Sequence, residues 1–271
     1  MKNTTKPLIL FLSFCLIFAV SPVFSDEEKP GYDDGPFLPG SPWRVHDRSR
    51  PQPPIVLPGT GDLGTTPPGD ALVLFDGKNL DEWSLSDGKP IENGLEDGTI
   101  DVLKTGNIQT RRQFGDCQVH LEWKTPPKPE DRMNWGNSGV FMMGVFELQI
   151  IESHDSYIYA DGNAGAIYGQ FPPLVNPARP AGEWQSFDLL FTAPVFEGEK
   201  MASPAYVTII YNGVVVQNHQ AILGTVAHRA LPGPYPKATT GPVGLQSHHS
   251  SVRFRNIWIR PLDGKGFETA R

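Results

Sequence analysis

The residues best suited to chemistry in this sequence stand in alternation. In Phe146-Glu147-Leu148-Gln149-Ile150 a strand period of two turns Phe146, Leu148 and Ile150 to one side, and Glu147 with Gln149 to the other. A carboxylate and an amide two residues apart can grip one small ligand: one moves a proton, the other donates to or accepts from an oxygen. Asn137-Ser138-Gly139 opens the preceding run and offers a small residue where a ligand can approach the backbone. Gln246 and His248 share a face by the same parity, as do Arg253 and Arg255. Each pattern equally fits a solvated outer face, a loop histidine or a surface ion pair. Spacing alone defines a polar face and not a reaction.

These residues need short strands to hold them, and the chain supplies such strands. From residue 70 onward, brief apolar runs are separated by turn signals. Ala71–Phe75 leads into Asp76-Gly77, and Val119, Leu121 and Trp123 alternate with His120, Glu122 and Lys124. Val140–Met143 and Val145–Ile151 flank Gly144. Phe187–Phe191 and Tyr206–Tyr211 follow, and Asn212-Gly213 is a hairpin signal before Val214–Gln217. Val243–Gln246 and Val252–Ile259 close the series. No window sustains three helical turns, so the pattern predicts an all-β sandwich or barrel.

Residues 1–25 read as a secretory signal. Lys2 and Lys6 precede an apolar run from Leu8 to Val20, and Val23 and Ser25 stand at the cleavage site. The chain is therefore expected to be exported to periplasm, cell surface or medium, with no transmembrane segment after cleavage. Residues 26–69, rich in Pro and Gly, predict an extended, disordered linker, since proline removes a backbone donor. The sandwich is assigned to 70–262 and a tail to 263–271. Cleavage would leave Cys117 as the one cysteine, read as a core residue, so no internal disulfide is expected. The formal charge of −7 is spread along the chain and no basic stretch is present, which argues against nucleic acid as a partner. Phosphate loops, paired-cysteine zinc patterns, His-Glu-x-x-His and Gly-x-Ser-x-Gly are absent.

Several short motifs in order resemble the 3-keto-disaccharide hydrolase domain family. They include Leu74-Phe75-Asp76-Gly77, Asn137-Ser138-Gly139-Val140-Phe141, Phe146-Glu147-Leu148-Gln149-Ile150 and Gly165-Ala166-Ile167-Tyr168-Gly169. Ala181-Gly182-Glu183-Trp184, Gly244-Leu245-Gln246-Ser247-His248 and Phe254-Arg255-Asn256-Ile257 complete the series. The resemblance implies a concanavalin-like jelly roll of two curved antiparallel sheets, acting on glycosides whose C3 hydroxyl has become a ketone. On the matching positions it implies Glu147, His248 and Arg255 as catalytic candidates. Asn137, Gln149, Tyr168, Gln246 and Trp184 would bind the carbohydrate.

Such a substrate has its own chemistry. A ketone at C3 acidifies the C2 hydrogen, so one base can remove it and the C1 substituent can leave. Water then adds back, giving net hydrolysis. The route needs one base, a donor for the enolate oxygen and an acid, rather than the two carboxylates of ordinary glycosidases. Glu147 or His248 would be the base, and Arg255 or Gln149 the enolate donor. No cofactor is called for; a divalent metal as electrophile stays open, with His154 and Asp155 as possible ligands at an ordinary spacing. Two other readings are carried. One is an ordinary jelly-roll glycosidase, disfavoured because Gln149 and Ile151 stand where its carboxylates would be. The other is a non-catalytic, lectin-like module using Trp135, Tyr168 and Trp184 as stacking platforms.

Overall fold

The computed structural model describes residues 29–59, 63–127, 135–155 and 158–262. Among these, strands dominate: β1 (Leu72–Phe75), β2 (Trp83–Leu85), β3 (Leu95–Glu96), β4 (Thr99–Asp101), β5 (Ile108–Thr110), β6 (Cys117–Lys124), β7 (Ser138–Met142) and β8 (Phe146–Ile150). They continue with β9 (Gln185–Thr192), β10 (Val195–Glu197), β11 (Lys200–Ser203), β12 (Tyr206–Tyr211), β13 (Val214–Ala221), β14 (Gly244–Leu245) and β15 (Arg253–Pro261). A single α-helical turn, α1 (Val102–Thr105), follows Asp101, whose carboxylate accepts from the Leu103 N–H and caps it.

Two antiparallel sheets form the sandwich predicted from the sequence. The larger runs β13-β12-β9-β6-β15-β4-β3, with β1 also paired to β15; the smaller runs β2-β5-β14-β7-β8. Alternation decides which side chains fill the space between them. Val119, Leu121 and Trp123 enter from β6, and Val140, Met142, Phe146, Leu148 and Ile150 from β7 and β8; all are buried in one core. Trp123 stacks near Tyr211 and meets Phe187 edge-on, while Phe146 meets Phe191 from the opposite sheet. Cys117 is a core residue, and burial pushes its thiol up to about 12, so it is not a nucleophile at neutral pH.

Among its described residues the proline-rich stretch contributes no helix and no strand, in keeping with its missing donors. Its described part, 29–59, nonetheless lies against the sandwich. Val45 and His46 are fully buried, Gln52 donates to the Ile158 carbonyl, and Asn176 bridges Pro54 and Val56 by backbone bonds. Prolines pre-set an extended path, so little further entropy is lost when that path is pinned to a surface. Residues 1–25, expected to be a secretory signal, and the tail after residue 262 lie outside the described residues.

Candidate functional site

β8 is the edge strand of the smaller sheet, and its outward face carries Glu147 and Gln149. Register sets Gly139 opposite Gln149 and Phe141 opposite Glu147, while Gln246, just past β14, donates its backbone N–H to the Gly139 carbonyl. The centre of this floor thus lacks a side chain. A Cβ on Gly139 would sit 2.9 Å from Glu147 Oε1 and 3.0 Å from Glu147 Cγ. Gly139→Ala is therefore expected to push the Glu147 side chain aside, cutting turnover roughly a hundredfold. The thermal midpoint should move only a few degrees, because the backbone there is not left-handed. A variant with undiminished turnover would refute this placement of Glu147.

The free edge of β8 is closed by residues 163–171. Gln149 donates to the Ala166 carbonyl and Tyr168 to the Glu147 carbonyl, while Gly165 donates to the Gln149 carbonyl. This covers the edge and sets Tyr168 beside Glu147. Around the floor a cavity of about 640 Å³ opens, lined by Asn137, Glu147, Gln149, Tyr168, Gln246 and His248, with Tyr32, Trp135, Tyr159 and His228. Six of the eight residues picked from the sequence therefore meet in one hollow. Strand parity sets Glu147 and Gln149 on the floor, and segments flanking β7 and β14 and residues 163–171 bring the other four to it, over sequence separations of up to about a hundred residues.

Two do not join them. Arg255 lies on β15 of the larger sheet, where its Nε donates to Glu122 Oε2 at 2.7 Å and its guanidinium covers the Trp184 ring at 4.0 Å. Trp184 lines a separate groove with Arg179 and Glu183. Neither reaches the hollow, which corrects the expectation for both. The parity of Arg255 within its strand was read correctly, but its strand belongs to the other sheet. His154 and Asp155 pair with each other on the surface, and no cluster of three metal-ligating side chains occurs among the described residues. A larger groove of about 1100 Å³ runs past Lys78, Glu96, Lys104 and Arg111, but its Glu96 and Lys104 already neutralise each other.

The electrostatics of the hollow single out Glu147. It is 7% exposed, and burial, with no cation alongside, pushes its carboxyl up to about 8. Gln149 is 1% exposed, and its Oε1, like that of Gln246, is buried without a hydrogen-bond partner among the described residues. Buried polar atoms are normally paired, so unpaired ones facing a cavity point to a ligand. Along the wall the Tyr159 and Tyr168 hydroxyls lie 2.8 Å apart, and the Tyr168 hydroxyl is 3.0 Å from His228 Nδ1. Burial, outweighing the bond from Tyr159, raises Tyr168 to about 12, so it stays a hydrogen-bond donor. Burial, with His46 and Arg229 nearby, lowers His228.

Sequence reasoning missed Tyr32, Tyr159 and His228. Tyr32 falls in the proline-rich stretch and His228 in a loop, where no periodicity marks a side chain's direction. Only the proximity of distant loops reveals them.

What fold and site together define is a β-sandwich presenting, among the described residues, a single carboxyl group amid amide, phenol and imidazole side chains, in a cavity sized for a small polar ligand. Residues 70–260 match the model of the 3-keto-alpha-glucoside-1,2-lyase-like domain family, and the chain belongs to that family. A candidate glycosyl hydrolase from Parabacteroides distasonis ATCC 8503, known from its crystal structure, is 42% identical with a TM-score of 0.70, covering 82% of this chain and 99% of the other. A 3-keto-disaccharide hydrolase of Bacteroides thetaiotaomicron is 20% identical over 238 residues, 71% of this chain and 78% of its own length. A second Parabacteroides distasonis structure, 24% identical over 71% of this chain and 94% of its own, with a TM-score of 0.54, shares the fold.

Proposed function

We propose that this protein cleaves glycosides carrying a C3 ketone, with Glu147 as the base that removes the C2 proton. The observation carrying this reading is the carboxylate count: among the described residues lining the cavity, Glu147 alone bears a carboxyl group. A retaining or inverting glycosidase holds two; elimination next to a ketone needs one.

In the proposed step Glu147 takes the C2 proton, and the C–H electron pair delocalises onto the C3 oxygen as an enolate. Amide N–H groups of Gln149, Asn137 and Gln246 donate to that oxygen. As the C3 carbonyl re-forms, a C1–C2 double bond forms and the C1–oxygen bond breaks, its pair leaving with the C1 substituent, which takes up a proton. His248, exposed at the rim, donates that proton and is re-protonated from solvent. Water adding at C1, with return of a proton to C2, completes net hydrolysis. The relatives' names, a 3-keto-disaccharide hydrolase among them, support the substrate class. Export, which residues 1–25 call for, is part of the same proposal.

A carboxyl with a pKa of about 8 is a strong base but is largely protonated at neutral pH. Activity on a 3-keto-glucoside, followed as kcat/KM between pH 6 and 9.5, is therefore expected to rise with pH and reach half its plateau near 8. The unoxidised parent glucoside should release nothing. Release from the parent, or a rate that falls across this range, would overturn the assignment. Binding of the ketone without release would leave the lectin-like reading in its place.

A further inference from the structure

We infer that residues 30–50, which lie ahead of the matched family domain, complete the active site and select glycosides whose C1 substituent is itself a ring. This rests on the proposed activity and assigns part of the same cavity.

The segment is anchored from within. His46, fully buried, donates its backbone N–H to Asp161 Oδ2 at 3.0 Å, and its Nδ1 lies 3.1 Å from Asp161 Oδ1. Its φ of 55° is left-handed, a conformation non-glycine residues keep only where surroundings enforce it. Arg50 lies 3.7 Å from the same carboxylate and donates to the Gln170 carbonyl. This pins the segment to the turn Ala160–Gly162, which follows Tyr159, and to residues 163–171, which carry Tyr168 of the cavity wall.

The His46 ring then backs that wall. It packs 3.9 Å from the Tyr159 ring, 5.0 Å from Tyr168 and 5.2 Å from His228. Tyr32, from the same segment, lines the cavity itself and meets His228 edge-on. Its ring is held by the Arg229 guanidinium, 3.9 Å away, which also bonds Asp34 at 2.7 Å.

Division of labour within the cavity follows from chemistry. The reacting sugar must set C2 over Glu147 and its ketone oxygen among the floor amides. About 640 Å³ is more than one pyranose fills. The remaining surface includes the wall of Tyr32, Tyr159 and Tyr168, whose rings suit the apolar face of a second sugar or an aromatic aglycone. A methyl group has no face to present to them.

The test compares 3-keto-glucosides bearing phenyl, glucosyl or methyl groups at C1, using the full chain and its Tyr32→Ala and Tyr32→Phe variants. Tyr32→Ala is expected to lower the preference for phenyl and glucosyl over methyl about tenfold, through KM rather than kcat. Tyr32→Phe, which keeps the ring, should restore the preference. His46→Asn, at a position where asparagine tolerates a positive φ, should erode it in the same sense. Equal losses on all three substrates, or none, would overturn the inference while leaving the activity intact. A wild-type protein that turns over no ketone overturns the activity reading and this one with it.

Discussion

Glu147→Gln is expected to abolish proton abstraction, lowering turnover of a 3-keto-glucoside about a thousandfold, and yet to stabilise the fold above pH 8. Both effects come from one burial. The carboxyl titrates near 8 in the folded protein, against an ordinary glutamate value near 4.5. Between those values the unfolded chain releases the proton and the folded chain keeps it. The unfolded state thus binds fewer protons, and stability falls as pH rises through this window, levelling above 8. The raised pKa corresponds to on the order of 5 kcal/mol. A neutral amide of the same shape escapes that penalty, so the variant's unfolding midpoint should decline less than the wild type's, the gap between them widening from about pH 5 to 8. Aglycone release and thermal unfolding at several pH values check both halves. Undiminished turnover would remove Glu147 from the mechanism, and parallel stability curves would show that its carboxyl is solvated.

The second large effect is expected where chemistry is not. Glu122 has a fully buried side chain on the outer face of the larger sheet. Its Oε1 accepts from the Gly64 backbone N–H and from Asn256 Nδ2, and its Oε2 from Arg255 Nε. His120 beside it bonds Asp188 at 2.9 Å and stacks on Trp258. Burial alone would raise Glu122, but His120, Asn256, the Gly64 N–H and Arg255 outweigh it and hold the carboxyl at about 2. Burial would lower His120, but Asp188 and Glu122 hold it at about 9. Glu122→Ala leaves a buried histidine and an arginine short of their counter-charge, a loss of roughly 3–5 kcal/mol. For a domain of this size that is about a 10 °C drop in midpoint.

The sign of the pH dependence differs for the two groups. The lowered Glu122 contributes above its unfolded value near 4.5 and is lost as pH falls toward 2. The raised His120 contributes below about 6.5 and is lost as pH rises through 9. The gap between wild type and variant should therefore be widest from about pH 4.5 to 6.5. Turnover at 25 °C should change less than twofold, because Glu122 and Arg255 stand on the sheet that does not carry the cavity. A large loss of kcat in a folded Glu122→Ala protein would return Arg255 to the reaction.

Arg255 also marks how far the sequence reaches. Period-two alternation is a local property of the pleat, so it correctly split Glu147 and Gln149 from Phe146, Leu148 and Ile150. It also put Val119, Leu121 and Trp123 in the core. The same rule set Arg255 on the outer face of its strand, which is where it lies. But alternation describes a face of a strand's own sheet and carries no information about which sheet the strand joins. β15 joined the larger sheet, so Arg255 met Glu122 instead of Glu147. Trp184, just ahead of β9, went with it.

The sequence by itself determined the class of fold, the strand faces and the family, because turn residues, apolar alternation and motif order are all written along the chain. Only the tertiary structure decided which polar faces share a hollow and how deeply Glu147 is buried. It also decided that His46 meets Asp161 across 115 positions and brings Tyr32 to the cavity. Those outcomes depend on sheet membership and on distant segments competing for one surface. No local period encodes such a competition, and the pKa that makes Glu147 a candidate base is set by its result.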